Sequence, residues 1–420
     1  MRTIWRMAIF GSMKTSKKRR GLFWGSGLLV LYVLVRFMPL YKPAPAIPFE
    51  GPYWYNPYEN VSSEGKWLRA NFHAHSNAWG FVTSGRKNTV DDMLCKYDSL
   101  GYDIIGISDY QHITEMSCRL YIPVYEHGYN VMKTHQGVIG ARKVYWNDYI
   151  LPQTRSQKQH VLKKLKEHSR LVALHHPAWM GGYSKKDMCR LTGYDLFEVL
   201  NDFWVSEGLW DVALSSGRPA MLLAGDDAHN VFKPTDIARD FTMIFVGNSG
   251  SSMESPEAVY RALESGAAYG VEVTERLAHS SVSRKREGLD SLPLLQSCRV
   301  CDDSLVVVLS GSALCFSFIG QDGLLLKRVS GETGSDNSGS DNSGSNSAVS
   351  SSEFGSSTFG SSSASAFYKL RPEDHYVRVK ITLVDSSHIY LNPVMRTKEK
   401  DVKPQMPPIK KRRLFTIFDA

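Results

Sequence analysis

Three signatures that would each settle an enzyme class are missing from this chain of 420 residues. There is no G-x-S-x-G elbow to strain a nucleophilic serine outward, which removes the serine-hydrolase reading. There is no P-loop to cradle a nucleotide's phosphates and no G-x-G-x-x-G to receive a dinucleotide, so kinase and dehydrogenase readings have nothing to stand on. Cysteine is sparse: six residues (95, 118, 189, 298, 301, 315), of which Cys298 and Cys301 form a C-x-x-C with no second pair at zinc-finger spacing. That pair reads as a local disulfide or as two free thiols rather than a metal or redox site.

A basic field over the body is missing too. Of the net charge of +8, residues 1–36 supply +8 and residues 396–420 supply +5, which leaves the body, 37–395, at −5. A mildly acidic body does not attract a polyphosphate backbone, so no nucleic-acid partner is expected. The basic run "KTSKKRR" precedes "GLFWGSGLLVLYVLV", fifteen residues without a charge. With Arg36 snorkelling, residues 21–41 are long enough for one membrane span behind a basic cytoplasmic segment, 1–20. This predicts an anchored chain with an extracytoplasmic body. A signal peptide cleaved near "APA" at 44–46 is the rival, giving a secreted or periplasmic protein.

What is present begins with alternation. A Pro- and Tyr-rich tether, 42–65, leads into apolar strands alternating with amphipathic helices over 66–275. "VDDMLCKYDSLG", "SQKQHVLKKLKEHS", "SEGLWDVALSSG" and "SPEAVYRALESG" read as helices; "YDIIGISDY", "RLVALHHP", "YDLFEVLN" and "PAMLLAGDDAHN" read as strands. Such alternation predicts an α/β fold with a parallel sheet or barrel. Residues 295–395 read as a small all-β domain, interrupted by a Ser/Gly-rich loop, 330–366, which cannot bury a core. A basic tail, 396–420, ends the chain.

In a parallel barrel, side chains at strand ends converge on one mouth. Candidate ligands stand at such ends: His73 and His75 in "RANFHAHSNAWG", Asp109 after "DIIGIS", Glu126 after "LYIPVY", and His135 before "QGVIGA". His175 and His176 close "RLVALHHP"; Asp226, Asp227 and His229 close "MLLAGDDAH". Strand alternation sends His73 and His75 to one side, as two ligands of one metal require. Nitrogen and oxygen donors without cysteine suit Zn, Mn or Fe. A carboxylate such as Glu126 or Asp227 bridging two cations points to hydrolysis by an activated water.

Taken in order along the chain, this set resembles the PHP (polymerase and histidinol phosphatase) family of metal-dependent phosphoesterases. The resemblance covers residues 66 to about 275 and, less sharply, extends to membrane-attached bacterial members with a trailing β domain. It implies a distorted (β/α)7 barrel whose metal ligands are His73, His75, Glu126, His135, His176, Asp227 and His229. His176, His229 and Asp109 take catalytic roles by the same resemblance. Two family positions are not matched: "SNAWGF" offers no ligand after His75, and Tyr110 stands where the family has histidine, with His112 two residues on. A family site with three ions then becomes a site with two. The implied function is a divalent-metal phosphoesterase acting on a small-molecule or cell-envelope phosphoester. The alternatives are amide or ester hydrolysis by the same water, or a silent barrel that binds glycan or phosphate. A carbamylated-lysine amidohydrolase site ranks lowest, because no lysine stands among the strand-end candidates.

Overall fold

The computed structural model describes residues 24–27, 39–80, 85, 87–247, 255–331 and 363–412. It divides into two units, residues 1–42 with 411–420, and residues 43–410. Among the described residues no helix is long and apolar enough to cross a membrane. The expected anchor over 21–41, and the extracytoplasmic placement drawn from it, are corrected on that finding; of the stretch itself, only 24–27 and 39–41 are described. The basic segment 1–20, most of the Ser/Gly-rich loop (332–362) and residues 413–420 lie outside the described residues.

In chain order the second unit runs β1 (Tyr53–Tyr55), β2 (Lys66–Asn71), α1 (Val90–Ser99), β3 (Ile104–Ile105), β4 (Val124–His127) and β5 (Gln136–Ile139). It continues through α2 (Arg155–Lys166), β6 (Leu171–Leu174), α3 (Lys185–Met188), β7 (Leu196–Asn201), α4 (Glu207–Ser215) and β8 (Met221–Gly225). Then come β9 (Asp240–Val246), α5 (Pro256–Ser265), β10 (Ala268–Glu272), α6 (Glu275–Ala278) and α7 (Val282–Asp290). The rest is strand: β11 (Leu295–Cys301), β12 (Ser304–Leu309), β13 (Ala313–Ile319), β14 (Leu325–Ser330), β15 (Ser365–Lys369), β16 (Tyr376–Leu383), β17 (His388–Leu391) and β18 (Val394–Thr397).

The helices begin where their caps dictate. Thr89 with Asp92 and Thr154 with Gln157 form capping boxes at α1 and α2, each satisfying otherwise orphaned backbone donors. Pro256 opens α5 and Gly266, at φ 86°, closes it in the left-handed conformation that a β-carbon would disfavour.

The strands do not close into a (β/α)7 barrel, and that expectation is corrected. They form a ten-stranded sheet whose main path is β14-β13-β16-β17-β10-β9-β2-β3, with β18 and β1 alongside; a five-stranded sheet β4-β5-β6-β7-β8; and a three-stranded sheet β11-β12-β15. Among the described strands, parallel ladders join only β2–β3, β6–β7 and β7–β8. The reason lies in the connections: β4 returns to β5 through residues 128–135 with no crossover helix, so the two run antiparallel. Nor is the C-terminal β segment a separate small domain. Its strand β17 pairs with β10, Tyr269 opposite Leu391, inside the sheet that also holds β2. The tether is likewise built in, since β1 pairs with β18 and Tyr58 is buried with its hydroxyl donating to Ala268 O at 2.8 Å. All six cysteines are free, with Cys298 buried and Cys301 exposed.

Two isolated parallel bridges, Ala74 with Ala228 and Tyr110 with Glu126, link the long sheet's β2 and β3 side to the five-stranded sheet. The predicted strand-end residues lie at and around these bridges.

Candidate metal centre

His73 and His75 leave β2 with Ala74 between them. The Ala74–Ala228 bridge brings them against Asp227, just beyond β8. His73 Nε2 lies 3.2 Å from Asp227 Oδ1 and 3.3 Å from Glu126 Oε1; His75 Nε2 lies 3.1 Å from Asp227 Oδ1 and 3.5 Å from Glu126 Oε2. Glu126 Oε1 also has His135 Nδ1 at 2.9 Å, His175 Nδ1 at 3.2 Å and His176 Nε2 at 3.3 Å. None of these residues is more than 3% exposed.

Residues at the ends of five separate strands therefore meet at one place. Three overlapping groups of buried residues can each hold a metal ion: His73, Glu126 and His176; His73, His75 and Asp227; His73, His175 and Glu198. Ligand bonds of about 2.0–2.2 Å put neighbouring donor atoms about 3.0–3.5 Å apart around one cation, which is the spacing seen here.

Five side-chain atoms of the cluster are buried with no hydrogen-bond partner among the described residues, His73 Nε2 and Glu126 Oε2 among them. Buried polar atoms without partners are costly, and a cation between them removes the cost. The electrostatics agree. Burial pulls the His73 imidazole down, but the combined fields of Asp227, Glu198 and Glu126 override it and hold His73 well above its ordinary value. For Glu126, burial acts upward and is outweighed by His135 and His73, which hold it well below the usual carboxylate range. Burial takes His135 down to about 4 despite Glu126. Three carboxylates thus demand positive charge in a space closed to water.

Glu198 is the site residue that sequence reasoning missed. It sits within β7, all six of whose residues are buried. Its Oε1 lies 2.7 Å from His73 Nδ1, while its Oε2 accepts from the His176 backbone N–H at 2.6 Å and from Asn201 Nδ2 at 3.1 Å. A carboxylate on one ring nitrogen fixes the tautomer and aims the lone pair of the other, the arrangement common behind metal-bound histidines. Glu in the fully apolar run "LFEVL" was the available signal, because a charge on a strand buried on both faces needs a partner inside.

The other expected residues divide. His135 and His176 both lie against Glu126, but only His176 belongs to one of the three groups; His135 is outside them. His229 stands at the edge: its side chain is 26% exposed, its Nδ1 lies 2.5 Å from Asp227 O, and its ring packs against His75 at 4.7 Å. Asp109 is outside the three groups; its carboxylate accepts from Ser76 N at 2.7 Å, Ser76 Oγ at 2.6 Å and Thr114 Oγ1 at 2.5 Å. Asp226, beside Asp227, is tied into the fold by Tyr97, Asn71 and three backbone donors from 238–240. Tyr110 stacks on His75 at 4.6 Å, and His112 packs on Trp79.

The backbone bends to achieve this. His176 at φ 27° and Asp227 at φ 51° lie in left-handed territory, which costs an ordinary residue about 1–2 kcal/mol. Such strain persists where surrounding structure fixes it, and it concentrates at functional positions. Glycine supplies the room: a β-carbon on Gly137 would fall 2.1 Å from His175 Nε2, and one on Gly225 would fall 2.9 Å from His73 Cβ. Gly137→Ala is expected to push His175 off its stacking position 3.8 Å from the His73 ring. That should cost about 1–3 kcal/mol of stability and weaken metal retention, read by thermal melting and metal titration.

Compared with models of known families, with curated proteins and with solved structures, the chain matches none.

Proposed function

We propose that the protein is a divalent-metal-dependent hydrolase of phosphoesters. The observation that carries this is His73: its Nδ1 is taken by Glu198 while its bare Nε2 faces Glu126 and Asp227 without a hydrogen bond. Zinc, manganese or iron suits this donor set. His73, His75 and Asp227 would hold one cation; His135 and His176 would hold a second, with Glu126 between the two. Bound there, such cations lower the pKa of a water and polarise a phosphoryl oxygen.

The chain's own residues do the rest. Glu198 and Asn201 keep His73 and the His176 backbone in place. His229 donates its Nδ1–H to the Asp227 carbonyl, so Nε2 is the ring nitrogen left to take a proton from the attacking water at the partly exposed edge. The order of residues that resembles the PHP family supports the same reading.

The test is direct. Purify the full chain, count bound metal, strip it with a chelator, reload with Mn or Zn, and assay phosphomonoesters and phosphodiesters. About two equivalents of metal and a hydrolysis lost on stripping and regained on loading are expected. Metal retained without turnover would favour a binding protein, and turnover indifferent to the chelator would sink the reading.

A further inference from the structure

The loop between β4 and β5 places a lysine beside the metal centre. The Lys133 Nζ lies 6.0 Å from the centre of the Tyr110 ring and 5.8 Å from that of Trp179. Tyr110 stacks on His75 at 4.6 Å, and Trp179 meets His176 edge-on at 5.0 Å. The ammonium is therefore one aromatic ring away from proposed ligands on two sides. It makes no ion pair or hydrogen bond of its own among the described residues.

This placement is held by the fold. Lys133 sits at φ 53°, in left-handed backbone that disfavours any residue with a β-carbon. Its N–H donates to Asn130 O at 3.0 Å. The Asn130 side chain pins the loop from both ends: Nδ2 donates to Tyr149 O and Leu151 O, and Oδ1 accepts from Met132 N at 2.8 Å. The loop carrying Trp179 comes so close that a β-carbon on Gly182 would fall 2.8 Å from Lys133 O. The aromatic contacts are near the outer limit of cation–π range and leave the ammonium's donors unused. A lysine kept beside divalent cations is also a like-charge neighbour, repelled unless an anion sits between them.

We propose that Lys133 is the substrate-recognition residue of this centre, binding a non-reacting oxygen of a dianionic phosphomonoester and selecting it over singly charged diesters. The inference rests on the metal-dependent hydrolase reading. A dianion offers an oxygen for the ammonium in addition to those facing the cations, whereas a diester replaces that oxygen's charge with an ester group.

The experiment uses the full chain as wild type, Lys133→Met and Lys133→Arg. Bound metal, kinetics on p-nitrophenyl phosphate and bis(p-nitrophenyl) phosphate, and calorimetric binding of inorganic phosphate to Mn-loaded protein are measured. Lys133→Met should raise the monoester KM and the phosphate Kd by about 10- to 100-fold, the usual effect of losing a charged hydrogen bond. The diester KM should move by only a few-fold, with metal content unchanged and Lys133→Arg recovering most of the loss. Unchanged monoester KM and phosphate Kd in Lys133→Met would overturn the proposal, as would equal losses on both esters or loss of metal. Failure of the hydrolase reading is separable. A wild type that binds phosphate without turnover, and loses that binding in Lys133→Met, retains the anion site and discards the chemistry. A Mn-loaded wild type that binds no phosphate refutes the role of Lys133.

Discussion

On the proposed metal-dependent reading, Glu126→Gln is expected to lose most of the metal and to lower kcat/KM by about 10³-fold or more, since a metal site contributes several kcal/mol to the transition state. The substitution keeps shape and volume but changes what the side chain offers. In the native protein Oε1 has four imidazole nitrogens within 3.3 Å, from His73, His135, His175 and His176. An amide takes one negative charge out of this set and turns an NH₂ toward nitrogens that hold lone pairs for a cation. Neither orientation of the amide avoids the conflict, because Oε2 faces His75. The variant is checked by metal analysis and steady-state kinetics beside the wild type. Full metal with full turnover in Glu126→Gln would falsify the assignment of this carboxylate to the centre.

The second large effect concerns stability. Asp211 on α4 takes the guanidinium of Arg378 on β16 in a two-pronged contact, Nε to Oδ1 and Nη2 to Oδ2, both at 2.7 Å. Arg378 is 2% exposed, lies over the Trp210 ring at 5.3 Å, and shares Asp211 with the Tyr376 hydroxyl. Asp211→Ala strands the guanidinium, and breaking a buried pair from one side costs about 3–5 kcal/mol. Glu207, 2.8 Å from Nη2 and partly exposed, retains some compensation and places the expected loss near the lower end. Denaturant unfolding should show a lower midpoint at unchanged slope. Replacing both residues with apolar ones of similar size should cost less than Asp211→Ala alone. If the single variant unfolds at the wild-type midpoint, the pair does not hold α4 to the sheet.

Sequence reasoning found the centre more readily than the fold around it. His73, His75, Glu126, His176 and Asp227 fall within groups that could hold a metal ion; they were legible as candidates because polar residues ending apolar runs need partners, and the bridges at Ala74 and Tyr110 bring those ends together. Glu198 was hidden because its apolar run continues past it in Val199 and Leu200, whereas Glu126 closes one. Asp109 was over-read: it ends its run as expected, but Ser76 and Thr114 consume its carboxylate. The barrel failed for a different reason. Periodicity announces a strand without naming its neighbour, and the β10–β17 pairing joins residues more than a hundred positions apart. No local pattern in "AYGVE" or "HIYL" states that they lie side by side. The Asp211–Arg378 contact, 167 positions apart in the chain, was equally out of reach.

The pairing of β10 with β17 has a consequence for how the protein is made. Until residue 391 has left the ribosome, β10 presents an open edge, although the chain bearing every proposed ligand has already emerged. A nascent chain in that condition has an unpaired template on its surface, an invitation to pair with another copy. Translation pauses upstream of β16, or chains ending early, would therefore favour aggregates over a working but shortened protein.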